Sequence, residues 1–208
     1  MKLVIAAALL GTSTLAAAHE VWIERDGDAP ARIYLGEPAE PVPPGGDPES
    51  AKLRAPHLVP ALSASLVRKT DHLEAAVPTG DVRVWDGNVF APWGPAARRE
   101  AVVYYARAGR LEPGATLPFE LAPAAGVANT FVLLREGRPQ AATEVTLVTP
   151  ERVKRTLRTD GQGRVGVPVV GKGRYLLSAA ARDEGERNHA GQTIHVLHHV
   201  TTTTFVAE

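Results

Sequence analysis

The chain contains no cysteine, which removes disulfide staples, thiolate metal ligands and cysteine nucleophiles together. It has no charge of a prevailing sign, with 23 basic residues balanced by 23 acidic ones. A basic face for nucleic acid or an anionic membrane surface is therefore not expected. No long apolar run follows the first ten residues, so the mature chain should have no transmembrane segment. There is no Gly-x-Ser-x-Gly, phosphate loop or dinucleotide fingerprint, and serine is scarce. The usual motifs of nucleophilic and nucleotide chemistry are thus missing, and a non-enzymatic protein is expected. Aromatics amount to 5% of the chain. The few large rings, Trp22, Trp85, Phe90, Trp93 and Tyr104, are expected in the core of the first β-sandwich, because aromatic burial dominates core energetics.

What is present begins at the amino terminus. Lys2 supplies a positive charge and Leu3–Leu10 an apolar stretch too short to span a bilayer. Ala16-Ala17-Ala18 offers the small-x-small pattern of a signal-peptidase site. Cleavage after Ala18 predicts an exported, periplasmic or secreted protein whose first residue is His19. A terminal histidine brings two nitrogens from one residue, the α-amine and imidazole Nδ1, which together can close a chelate ring on a metal ion.

Along the remaining chain, short β-branched or aromatic segments alternate with Gly/Pro punctuation, and no helical period is sustained. Strands are predicted at 21–23, Ala31–Leu35, Leu62–Val67, Val82–Trp85, Val102–Tyr105, Leu117–Leu121, Thr130–Leu134, Val145–Val148 and Arg174–Ala179. Pro38–Pro48 reads as an extended loop. Thr159–Arg164 reads as a hairpin loop with positive φ supplied by Asp160-Gly161 and Gly163. Arg182–His189 reads as a solvated loop, and Thr193–Val206 as a threonine-rich β segment. The fold class is all-β: two antiparallel immunoglobulin-like or prealbumin-like β-sandwich domains after a cleaved signal peptide. Their expected spans are 1–18 for the leader, 19–112 and 113–208.

The runs Tyr104–Ala106 and Thr116–Pro123, the Gly137–Leu147 segment, Thr159–Arg164 and Gly173–Ala179 together resemble a family of exported bacterial proteins. That family has no characterised function and is described as the periplasmic component of nickel/cobalt uptake systems. The opening His19-Glu20-Val21-Trp22 is similar to the His-acidic-x-Trp start of its mature proteins. The second half is also similar to prealbumin-like and carboxypeptidase-regulatory-like sandwiches, where such motifs specify a fold and no chemistry. The resemblance implies metal-related periplasmic work, with a transporter in the inner membrane as a partner.

Of seven histidines, four fall within eleven residues: His189, His195, His198 and His199. Nickel, cobalt, copper and zinc all accept imidazole. On one straight strand, His198 and His199 point to opposite faces, while His195 and His199 share a face roughly 13 Å apart at about 3.3 Å per residue. Only a bend or bulge near Leu197 would gather three of them, so a site must recruit a partner from elsewhere, and the His19 terminus is the best candidate. Glu20, Asp183, Glu184 and Glu186 are candidate oxygen ligands. His57 and His72 are expected to be structural or on the surface, and Asp160 is explained by turn geometry without calcium.

The leading reading is a periplasmic metal-binding or metal-delivery accessory for nickel, cobalt or copper, with His19, His189, His195, His198 and His199 as candidate ligands. The second reading is an envelope scaffolding or interaction module that binds a protein or sugar and no metal. A third, a copper redox enzyme with a terminal histidine brace, needs a second well-placed histidine and a flat substrate face.

Overall fold

The computed structural model describes residues 19–61 and 64–208. The expected leader, and the start of the strand expected at Leu62–Val67, lie outside the described residues. The first half supplies β1 (Glu20–Glu24), β2 (Ala31–Gly36), β3 (His57–Val59), β4 (Leu66–Arg68), β5 (Leu73–Ala75), β6 (Val82–Asp86) and β7 (Glu100–Ala108). The second half supplies β8 (Phe119–Pro123), β9 (Thr130–Arg135), β10 (Arg138–Pro139), β11 (Glu144–Val148), β12 (Lys154–Arg158) and β13 (Arg164–Gly166). Two long strands close the chain, β14 (Gly173–His189) and β15 (Gln192–Ala207). The protein is all-β, built as a sandwich of sheets. Among the described residues no helix is long and apolar enough to cross a membrane.

Three sheets stack around one shared layer. The central sheet has seven strands in the order β12-β11-β14-β15-β7-β6-β3. Its pairings are antiparallel except for β15 with β7, which run parallel from Val196 opposite Glu100 to Thr204 opposite Ala108. A four-stranded sheet, β1-β2-β5-β4, packs on one face, and a sheet built around β9 packs on the other. The boundary expected between 112 and 113 runs through the central sheet, which takes β3, β6 and β7 from one side of it and β11, β12, β14 and β15 from the other. The two large cores still divide nearly along that line. One gathers Val21, Ile33, Val84 and Tyr104, and the other gathers Phe119, Leu133, Leu147 and Phe205.

Strand β7 shows how two cores share one layer. From Ala101 onward every residue of it is buried. Val103 and Tyr105 face the second core while Val102, Tyr104 and Ala106 face the first. A strand covered on both faces reads as a continuous apolar run, with alternation lost. Strand β15 meets the same condition with threonines. Thr202 and Thr204 donate their hydroxyls to the carbonyls of Val21 and Ile23 on β1, while Thr203 donates to Leu121 O on β8 at 2.8 Å. Each hydroxyl thus ties the central sheet to the layer above or below, so the polar atom is buried with a partner.

Three expectations are corrected. Arg182–His189 is not a loop but the outer half of β14, paired with β15 through a register shift between Glu184 and Arg187. Charged residues suit this arm because it is largely exposed. Thr159–Arg164 does not close a hairpin, since β12 pairs with β11 and β13 pairs with β9. The turn carries the chain between sheets. Gly163 has φ +71°, and Asp160 Oδ1 accepts the amides of Gln162 and Arg164, both at 2.8 Å. Finally, Trp22 and Tyr104 are buried, but Trp85 and Trp93 stay 36% and 42% exposed and are not core.

Candidate functional site

His19 stands at the entry to β1, half-buried beside Phe90, whose ring it meets edge-on at 6.2 Å. Its Nε2 lies 3.2 Å from Asp47 Oδ1. Asp47 is itself fixed: the same oxygen accepts the Glu49 amide at 2.7 Å, and its carbonyl accepts Ser50 N at 2.9 Å. Gly36, at the end of β2, admits the carboxylate, because a Cβ there would stand 3.2 Å from Asp47 Oδ2. Among the described residues Nδ1 of His19 makes no hydrogen bond. A neutral imidazole whose Nε2–H donates to a carboxylate keeps Nδ1 as its lone-pair nitrogen, the arrangement in which metal-bound histidines are usually held.

Asp47 also walls a cavity of about 250 Å³. Glu37, Glu40 and Asp71 line the same cavity, and Trp22 and Tyr34, stacked with centroids 5.1 Å apart, form its apolar side. Four carboxylates with no basic residue among the lining make this cavity negative on the far side of Asp47 from His19, while Lys52 lies over the Phe90 ring that His19 meets. Glu20, the neighbour of His19, points elsewhere. It accepts a hydrogen bond from the Ser178 hydroxyl at 2.6 Å, and burial pushes its carboxyl above the usual range.

The other candidate histidines are each engaged separately. His189 Nε2 donates to Gly87 O at 2.7 Å. His195 Nδ1 accepts the Arg99 amide at 3.3 Å. His198 pairs with Glu100 at 2.6 Å and stacks on Trp93 with centroids 5.9 Å apart. His199 lies on the opposite face of β15, with Nε2 3.1 Å from Asp183 and Nδ1 3.3 Å from the Tyr105 hydroxyl. Strand β15 shows no register shift against β7 near Leu197, so the bend that would gather three imidazoles is absent there. Among the described residues, no group of three His, Asp or Glu side chains is arranged to hold an ion. Glu184 pairs with Arg182 on the exposed arm, and Glu186 is exposed.

Asp183 links its own network. Burial alone would raise its carboxyl, but bonds from Arg135, His199 and Arg187 outweigh that and hold it down at about 2. The same site pushes the Tyr105 phenol up to about 12, mainly through burial. Burial lowers the His199 imidazole below its ordinary range, with Asp183 opposing.

Sequence reasoning missed Asp47, which sits 28 residues from His19 in what reads as an extended Pro/Gly loop. Asp47-Pro48 was a weak turn signal, and nothing in it points to His19. It also missed the buried ionic cluster at the junction of the halves. There Arg83 and Arg107 both donate to Glu120 Oε1, at 2.8 and 2.7 Å, while Glu120 Oε2 accepts the amides of Thr116 and Leu117. No family model, curated protein or solved structure matches the chain.

Proposed function

We propose that this chain is an exported, non-enzymatic metal-binding or metal-delivery accessory that handles nickel, cobalt or copper for an inner-membrane uptake system. The observation that carries this reading is the bond between His19 Nε2 and Asp47 Oδ1 at 3.2 Å. It orients the ring and leaves Nδ1 as the nitrogen able to close a chelate with the α-amine that cleavage after Ala18 would create. The candidate ligands are the two nitrogens of His19 alone, and among the described residues no group of three His, Asp or Glu side chains is arranged to hold an ion. The carboxylates of Glu37, Glu40, Asp47 and Asp71 would raise the local concentration of cations.

The test compares protein whose first residue is His19 with a form carrying two extra residues before it, each titrated calorimetrically with Cu(II), Ni(II) and Co(II). One ion per chain is expected, with affinity falling in the order copper, nickel, cobalt, and a large loss in the extended form. Equal affinity in both forms would remove the chelate from the reading. The second reading, an interaction module without metal, draws on the separate engagement of His189, His195, His198 and His199 in bonds between elements. It gains if no stoichiometric metal binds the correctly processed chain while a protein partner copurifies.

A further inference from the structure

Trp85 breaks the pattern of the central sheet. It sits on β6 between its cross-strand neighbours His57 on β3 and Tyr105 on β7, on the face that carries the second core. The β9 sheet covers that face elsewhere, but it leaves Trp85 36% exposed. The indole does not swing freely, because His57 stacks on it at 4.4 Å with the rings 20° from parallel. It forms the wall of a cavity of about 410 Å³, within the range of small-molecule sites.

The polar groups around this cavity share one chemical character. No Lys, Arg, Asp or Glu lines it. His199 Nε2 faces the Asp183 carboxylate and so carries the proton; its Nδ1 then accepts, and the Tyr105 hydroxyl donates to it. With its proton committed, the Tyr105 oxygen has only acceptor capacity left for the cavity. His189 gives its Nε2–H to Gly87 O, and in the neutral ring Nδ1 is then an acceptor. Asn88, exposed at the rim, adds an amide that can donate or accept. An exposed flat ring, two committed acceptors, one amide and no charge suit an uncharged ligand with many O–H donors and an apolar face. A pyranose ring has that combination, since its axial C–H groups stack on an indole while its hydroxyls donate in the ring plane.

We propose that the cavity beside Trp85 is a binding site for a neutral saccharide, with Trp85 as the stacking platform and Tyr105, Asn88 and His189 as its hydrogen-bonding partners. The site is independent of His19 and stands or falls without the metal reading. Intrinsic tryptophan fluorescence and calorimetry of the full chain would follow titration with cellohexaose, maltohexaose and chitohexaose in turn. Saturable binding of at least one, with a dissociation constant below about 10 mM, is expected. Trp85→Ala should weaken it about tenfold or more, Asn88→Ala less, and Trp85→Tyr should retain most of it. Circular dichroism would establish that each variant is folded, and Trp93→Ala, whose ring lies by His198 outside this cavity, should bind as the parent does. The proposal is overturned if none of the three sugars saturates the protein, or if Trp85→Ala and Trp93→Ala bind alike. Displacement of bound sugar by an aliphatic fluorescent probe with higher affinity would equally reassign the cavity to an apolar ligand.

Discussion

Arg107 and Glu120 face each other across the seam between the two halves, 2.7 Å apart, with neither side chain exposed to solvent. Arg107 also reaches Asp81 and the carbonyls of Glu112 and Gly114, and Arg83 shares Glu120 from β6. The chain from Gly109 to Leu117 therefore wraps around a guanidinium, and the segment read as an interdomain break is pinned to the sheet on both sides of it.

Removing Arg107 takes the guanidinium from Asp81, whose side chain is 1% exposed, and leaves buried Glu120 with Arg83 alone. Arg107→Leu is expected to destabilise the protein by about 3–5 kcal/mol in denaturant unfolding. The double variant Arg107→Leu/Glu120→Leu should cost less than the two single changes added together, because neither of the two is left facing a missing partner. Additive losses would mean that the two side chains do not act on each other.

The threonines of β15 offer a contrast within one strand. Thr203→Val breaks a bond to Leu121 O and leaves that carbonyl without its hydroxyl donor, so a loss of about 1–3 kcal/mol is expected. Thr201 is equally buried, but its Oγ1 has no hydrogen-bond partner among the described residues. Thr201→Val keeps the shape and removes an unpaired polar atom, and should leave the midpoint of unfolding unchanged or raise it. A drop at Thr201 as large as that at Thr203 would contradict the assignment.

The His199 imidazole is held below its ordinary range by burial. A histidine shifted in that direction binds fewer protons when folded than when unfolded. Its contribution is therefore complete above the unfolded value, about 6.5, and is lost as the pH falls from there toward the folded one. The gap in melting temperature between the parent and His199→Asn should narrow between about pH 7.5 and about pH 5. A gap that stays constant or widens on acidification would reverse the sign argued for His199. The Asp183 carboxyl, held at about 2, acts at lower pH: its stabilisation is present above about 3.9 and fades only as the pH drops toward 2.

Asp47→Asn keeps the size of the group that orients His19 but removes its charge. If His19 chelates an ion, copper affinity of the processed protein should fall about 10–100-fold, the usual cost of losing a partner behind a metal-bound histidine. Thermal stability should change little, since Asn can still accept the Glu49 amide. Unaltered affinity would detach Asp47 from the site.

Much of the fold was written in local sequence. Short β-branched segments with Gly and Pro between them gave strands where β1, β2, β6, β9 and β11 stand, because period-two patterning and turn chemistry act over a few residues. The same local signals misread Arg182–His189: a charged strand on an exposed arm has no apolar face to betray it, and only pairing with β15 makes it a strand. His19 could be singled out from the residues preceding it, yet Asp47 could not, since a contact spanning 28 residues depends on how β1, β2 and the following loop close on one another. Likewise the polar look of Thr201–Thr204 concealed a fully buried stretch, in which the hydroxyls of Thr202, Thr203 and Thr204 find carbonyls only after two other sheets have packed against it. Composition and spacing thus determined that the chain forms sheets without disulfides. Tertiary packing decided which layer they share and which partner each histidine takes, because burial on both faces erases alternation and long-range pairing leaves no mark in neighbouring residues.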